Sequence, residues 1–115
     1  MGEKLYDLDF LNRISNNDSA FIHEMVTSLI ESADEYMEKA DKFLSEKNYE
    51  SFGRATHKFI PGVGFLGIKS IEQELMLLEE NCKKNIDLDK IEEKYKEVKS
   101  TILKLEEVFK QDFNL

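Results

Sequence analysis

A single proline, Pro61, and a single cysteine, Cys82, occur in 115 residues, and glycine appears only five times. So few helix breakers leave long uninterrupted segments. Valine and threonine are sparse beside abundant glutamate, lysine and leucine, a bias towards helix rather than strand. One cysteine excludes an internal disulfide and suits a reducing cytoplasm. No apolar run approaches the roughly 20 residues that cross a bilayer. The N-terminus lacks a basic start followed by an apolar block, so no signal peptide is expected. Met1-Gly2 would open a myristoylation signal, but Tyr6 stands where Ser or Thr is needed. No basic face is visible, and the net charge is −8. That acidity favours solubility and argues against nucleic acid and anionic membranes as partners.

Hydrophobic residues make up 41% and charged residues 35% of the chain. At this length they predict one all-α domain over residues 1–115, with a single core and a heavily charged surface. Residues 1–7 read as a lead-in. Leu8, Phe10, Leu11 and Ile14 form a brief apolar cluster that predicts a short helix lidding the core, ended by the turn formers Ser15-Asn16-Asn17-Asp18. From about Ser19 to Glu46, apolar residues at 22, 26, 29, 33, 37, 40 and 44 step by three or four, which marks one buried helical stripe. His23 borders that stripe and has no ligand cluster beside it, so it reads as a surface residue. After a turn at Lys47-Asn48, a third helix begins near Tyr49. A fourth, about Lys69 to Lys84, carries Ile71, Leu75, Leu78 and Cys82 on one face, and Cys82 reads as a small core residue rather than a reactive thiol. Asn85-Ile86-Asp87 is the next turn, with Asp87 as the N-cap of a last helix striped by Leu88, Ile91, Tyr95, Val98, Ile102, Leu105 and Phe109. Short connections make sequential helices antiparallel neighbours. The expectation is an up-down-up-down four-helix bundle with a short additional N-terminal helix.

One stretch does not reduce to helix formation. Residues 54–67 hold His57, one of two histidines, together with the only proline and three of the five glycines. At about 100° per residue, Phe52, Thr56, Phe59 and Val63 share one face of the third helix, with Ala55 nearby, and His57 points away from it. Gly53 and Gly64 lie below and above the ring, and Arg54, Ile60 and Pro61 complete its surroundings. Glycine costs about 1 kcal/mol and proline about 3 kcal/mol in a helix interior. Small residues around an exposed imidazole would let a partner surface approach it, with Ile60 as an exposed apolar contact. The plainer reading is that Gly62, Gly64 and Gly67 end the helix and Gly53 is incidental. The residues alone leave both readings open.

The stretch resembles the histidine-containing phosphotransfer (HPt) domains of two-component phosphorelays. Their pattern runs A-H-x-L-K-G and then, after five further residues, G-A. This chain has Thr56-His57-Lys58-Phe59-Ile60-Pro61 and then Gly67-Ile68: the histidine, the apolar residue two later and the glycine ten later match. Arg54-Ala55, Leu75-x-x-Leu78-Glu79, Asp7-Leu8-Asp9-Phe10-Leu11 and Asn17-Asp18-Ser19-Ala20-Phe21 are also similar to the family, so the likeness covers about residues 7–110. Two positions depart from it. Ile60 stands where the family has a lysine thought to neutralise the phosphoryl group, and Pro61 where it has a small residue. Arg54, one turn back, is the better substitute cation. Lys58 projects about 100° round the helix, and Lys69 is more distant.

The resemblance implies that His57 takes a phosphoryl group from a receiver-domain aspartyl phosphate and passes it to another receiver. The partners would be receiver domains of response regulators or hybrid histidine kinases. The chain would be a monomeric cytoplasmic carrier, not an autokinase, with no cofactor and no metal of its own. Arg54 and Lys58 would neighbour the phosphoryl group. Gly53, Ile60, Pro61 and Gly64 would form the docking surface, flanked by the first and second helices. Imidazole titrates near pH 6.5, so an exposed ring is largely neutral and nucleophilic near pH 7. The alternative is a non-phosphorylated helical adaptor binding receiver or other signalling domains, which the loss of the lysine at Ile60 would suit. A purely structural or oligomerising bundle is a third reading.

Overall fold

The apolar stripes of the sequence become five α-helices in the computed structural model, which describes residues 5–115. They are α1 (Asp9–Ser15), α2 (Ser19–Ser45), α3 (Tyr49–Phe65), α4 (Lys69–Lys84) and α5 (Ile91–Phe113), with a 3-10 turn at Leu88–Lys90. Among the described residues there is no strand, and no helix is long and apolar enough to cross a membrane. The Met1-Gly2 reading lies outside the described residues.

Local chemistry sets the helix ends. The Asp18 carboxylate accepts from the amides of Ala20 (3.0 Å) and Phe21 (3.3 Å), capping α2. Asn48 accepts from the Ser51 amide at 3.1 Å and caps α3. Helices α1, α4 and α5 each stop at an asparagine in the left-handed conformation, Asn16, Asn85 and Asn114, a conformation asparagine tolerates better than most residues. Asp87 takes the N-cap position of the 3-10 turn rather than that of α5. It is itself left-handed at φ 52° and makes no capping bond, and the chain passes through the 3-10 turn before α5 begins at Ile91.

The stripes of α2, α4 and α5 point inward as the spacing predicts. Val26, Ala40, Leu75, Leu78 and Ile91 are fully enclosed, and each large side chain so buried contributes about 1.5–3 kcal/mol. Helix α1 differs from expectation. Only Leu11 is buried, Leu8 is half-buried, and Phe10 and Ile14 are exposed. Two turns have room for one inward anchor. Phe10 instead lies flat on exposed Phe65 at the end of α3, with ring centroids 5.8 Å apart.

Helix α3 packs against α2 on one side and α4 on the other, and α5 contacts both α2 and α4. Tyr36 of α2 meets Thr56 of α3, while Leu29 would meet a Cβ placed on Gly62, so α2 and α3 run in opposite directions. The pairs Gly53 with Cys82, His57 with Glu79 and Gly64 with Glu72 set α4 antiparallel to α3. The segment before α1 is tied down as well. The Asp7 amide donates to the Leu66 carbonyl at 3.0 Å, buried Tyr6 bonds to Asp112, and the Tyr6 ring packs on Phe109.

Candidate functional site

The inner face of α3 is the one the helical spacing picks out. Phe52, Thr56 and Val63 are fully buried and Phe59 nearly so, while Ala55 is half-buried. The Thr56 hydroxyl donates to the Phe52 carbonyl at 2.8 Å and therefore accepts from the Tyr36 hydroxyl, also at 2.8 Å. Burial pushes the Tyr36 phenol pKa well up, so it stays a donor. The Tyr36 ring stacks on Phe59 at 4.6 Å. This buried lattice fixes the rotation of α3 and so the direction of the next residue, His57.

The His57 side chain is 70% exposed. Its Nδ1 lies 2.7 Å from Oε2 of Glu79, a carboxylate only 13% exposed on α4. An ionised carboxylate can only accept, so Nδ1 carries the hydrogen, and in a neutral ring the lone pair then sits on Nε2. Nε2 has no hydrogen-bond partner among the described residues. The same Glu79 oxygen takes Lys83 Nζ at 3.2 Å.

Gly53 explains why Glu79 reaches the ring. It is buried, and a Cβ there would stand 3.0 Å from the Cys82 Cβ. The two helices meet through hydrogen on one side and a small side chain on the other, so their backbones come close. Gly53 is thus the floor of the site rather than an exposed contact. Cys82 beside it is buried, and burial, with the nearby Glu79 charge, pushes its thiol up to about 11, which suits the core residue expected from its spacing.

A groove of about 650 Å³ opens along this seam, lined by His57, Glu79, Gly53 and Cys82. Arg54, Lys58 and Lys83 line it too, against the carboxylates of Glu50 and Glu79. In a protein of net charge −8, this is a locally cationic place. The Arg54 guanidinium turns back to Glu50 at 3.5 Å. Lys58 also borders a second hollow on the α2 side, beside Glu35 and Lys39. Lys69 sits ten residues before Glu79, roughly 15 Å further along α4, and does not line the groove.

The remaining expected residues divide. Pro61 is exposed, and α3 continues through it to Phe65 rather than ending. Having no N–H, Pro61 leaves the His57 carbonyl, four residues earlier, without its helical donor. Ile60 is not the exposed apolar contact expected from the wheel; it is half-buried against the core. Gly64 is half-buried beside Glu72, where a Cβ would come within 2.9 Å of Oε2. Gly62 and Gly64 lie inside the helix, and only Gly67, at φ 61°, works as the left-handed residue that lets the chain turn. His23 is exposed.

Glu79 and Lys83 were not singled out as site residues by sequence reasoning. A faint signal for Glu79 exists, since it follows Leu78 at the edge of the α4 stripe. Lys83 carries none, being one of many surface lysines. Among the described residues no three His, Cys, Asp or Glu side chains gather as a ligand set. Comparison with protein-family models, with curated proteins and with solved structures finds no match to this chain.

Proposed function

We propose that this protein is a phosphoryl carrier in which Nε2 of His57 is the acceptor. One observation carries the reading: an exposed histidine lining a groove bordered by cations, whose Nδ1 is held by a nearly buried glutamate while Nε2 is left without a partner among the described residues. The Nε2 lone pair forms the N–P bond as the P–O bond to a receiver aspartate breaks, and the aspartate leaves as a carboxylate. The ring keeps its Nδ1–H and becomes a phosphorylated imidazolium, whose positive charge faces the Glu79 carboxylate. Return to a second receiver reverses these bonds. Positioning and charge are what such a site must supply.

The rest of the reading follows from the HPt resemblance. The contacts of α2 with α3, α3 with α4, α4 with α5 and α5 with α2 close a cycle, which supports an up-down-up-down four-helix bundle as the scaffold. Receiver domains are the proposed partners, docking over His57 and exposed Pro61, with the chain acting as a monomer in the cytoplasm. The test is mixing with phosphorylated receivers. Acid-labile phosphate should appear on the wild-type chain and be absent from His57→Gln. Persistent labelling of that variant would move the acceptor elsewhere. Receiver binding with no transfer would favour the adaptor reading, for which Ile60 in place of a lysine is the supporting observation.

A further inference from the structure

We infer that Lys83, reaching across from α4, is the cation that neutralises the phosphoryl group on His57, in place of the lysine that α3 lacks at Ile60. The inference rests on the carrier reading above. A phosphoryl group on an exposed nitrogen places up to two negative charges on its oxygens in a protein that is already strongly acidic, and some nearby cation must offset them. The three cations of the groove are not equivalent. Arg54 is drawn one helical turn away by Glu50. Lys58 is shared with the hollow on the α2 side, near Glu35. Lys83 alone is bound to the very oxygen that holds the ring: Glu79 Oε2 lies 3.2 Å from its ammonium and 2.7 Å from His57 Nδ1.

That shared oxygen provides a partner exchange. Before transfer, one carboxylate serves a neutral Nδ1–H and an ammonium. After transfer the ring is an imidazolium, and its charged Nδ1–H becomes the stronger claimant on Glu79. Lys83 is 70% exposed on a flexible stem, so releasing the carboxylate for a phosphoryl oxygen in the same groove needs only rotamer changes. When the phosphoryl group leaves, the lysine returns to Glu79.

Phosphoramidate serves as the donor in the test: its P–N bond breaks, ammonia leaves and Nε2 takes the phosphoryl group. With the full-length chain, phosphorus NMR follows the rate of His57 phosphorylation and the half-life of the phosphohistidine. Lys83→Gln should slow the one or shorten the other by roughly fivefold, the equivalent of losing one partly exposed charge pair. Lys83→Arg should stay near wild type, and Arg54→Gln and Lys58→Gln should each lose clearly less than Lys83→Gln does. Adding Ile60→Lys to Lys83→Gln should restore the loss, because it returns a cation to the neighbouring turn. Nitrogen NMR of the ring should show the same tautomer in Lys83→Gln as in wild type. Wild-type kinetics in Lys83→Gln, a loss equally large in Arg54→Gln or a shifted tautomer would each overturn the assignment while leaving the carrier reading intact. A wild-type chain that takes no phosphoryl group would remove both.

Discussion

His57 and Glu79 are joined across the seam between α3 and α4, Nδ1 to Oε2, at 2.7 Å, although 22 residues separate them in the chain. The histidine side of the pair is open to solvent and the glutamate side is nearly covered. A covered carboxylate with few rotamers left to it is a rigid support for an exposed ring, and it selects which nitrogen faces outward.

Glu79→Ala should release that selection. Nitrogen NMR of His57 should move from the Nδ1–H form towards the Nε2–H form that a free imidazole prefers, and phosphorylation of the ring should slow by about tenfold, a common cost of losing a partner that orients a histidine. Glu79→Gln keeps an oxygen acceptor and should retain most of the tautomer bias. Equal spectra for wild type and Glu79→Ala would show that the glutamate does not set the tautomer.

Beneath the ring, Tyr36→Phe removes one buried hydrogen bond and leaves the Thr56 to Phe52 bond in place. Its cost in urea unfolding should be about 1 kcal/mol. Thr56→Val should cost more, about 1–3 kcal/mol, because it leaves the hydroxyl of buried Tyr36 without its partner. A smaller loss for Thr56→Val than for Tyr36→Phe would contradict the donor order assigned here.

Gly67→Ala should destabilise by about 2 kcal/mol or more. The left-handed φ of 61° costs alanine about 1–2 kcal/mol by itself. The new Cβ would also stand 2.5 Å from the Asp7 carbonyl oxygen, so the strap at Asp7 must shift and its bond to Leu66 is put at risk. Amide exchange at Asp7 reads this directly, and unchanged protection there would argue against the clash.

Glu106 on α5 gives the fold a pH dependence. It is 9% exposed, and its Oε2 has no hydrogen-bond partner. Burial first, and then the hydrogen bond and charge of Asp34, push its carboxyl up to about 7, with Lys110 opposing and Glu107 adding to the rise. Two ionised carboxylates have no proton to share, so the Asp34 bond exists only when one of them is protonated. The folded pKa lies above the ordinary value of 4.5. Glu106 therefore contributes stability that is full below about pH 4.5 and is lost as pH rises through about 7. Glu106→Gln should flatten that slope, so that the variant exceeds wild type in urea midpoint at pH 8 by more than it does at pH 5.5. Parallel pH profiles for the two proteins would rule the effect out.

Helix-period stripes made α2, α4 and α5 legible from the sequence, because the three-and-four spacing of apolar residues depends on the chain's own geometry and not on its neighbours. The inward face of α3 and the exposure of His57 follow from the same arithmetic. Local readings fared less evenly. Asp18 and Asn48 cap as their chemistry suggests, whereas Asp87, left-handed at the start of the 3-10 turn, makes no side-chain capping bond. In α1 the apolar cluster overstated burial, since two turns present only Leu11 inward.

The candidate site divides along the same line. That a histidine stands exposed on α3 among small residues is a property of one helix, written in the spacing of Phe52, Thr56, Phe59 and Val63. That its Nδ1 meets Glu79, that Lys83 shares the same oxygen and that Ile60 turns half inward depend on how near α4 comes to α3. The distance between those helices is set where buried Gly53 faces Cys82. A helical wheel describes one cylinder at a time. It gave Gly53 and His57 a common side but could not place a second helix against the glycine and beneath the ring, because side chains on different helices acquire neighbours only when the core packs.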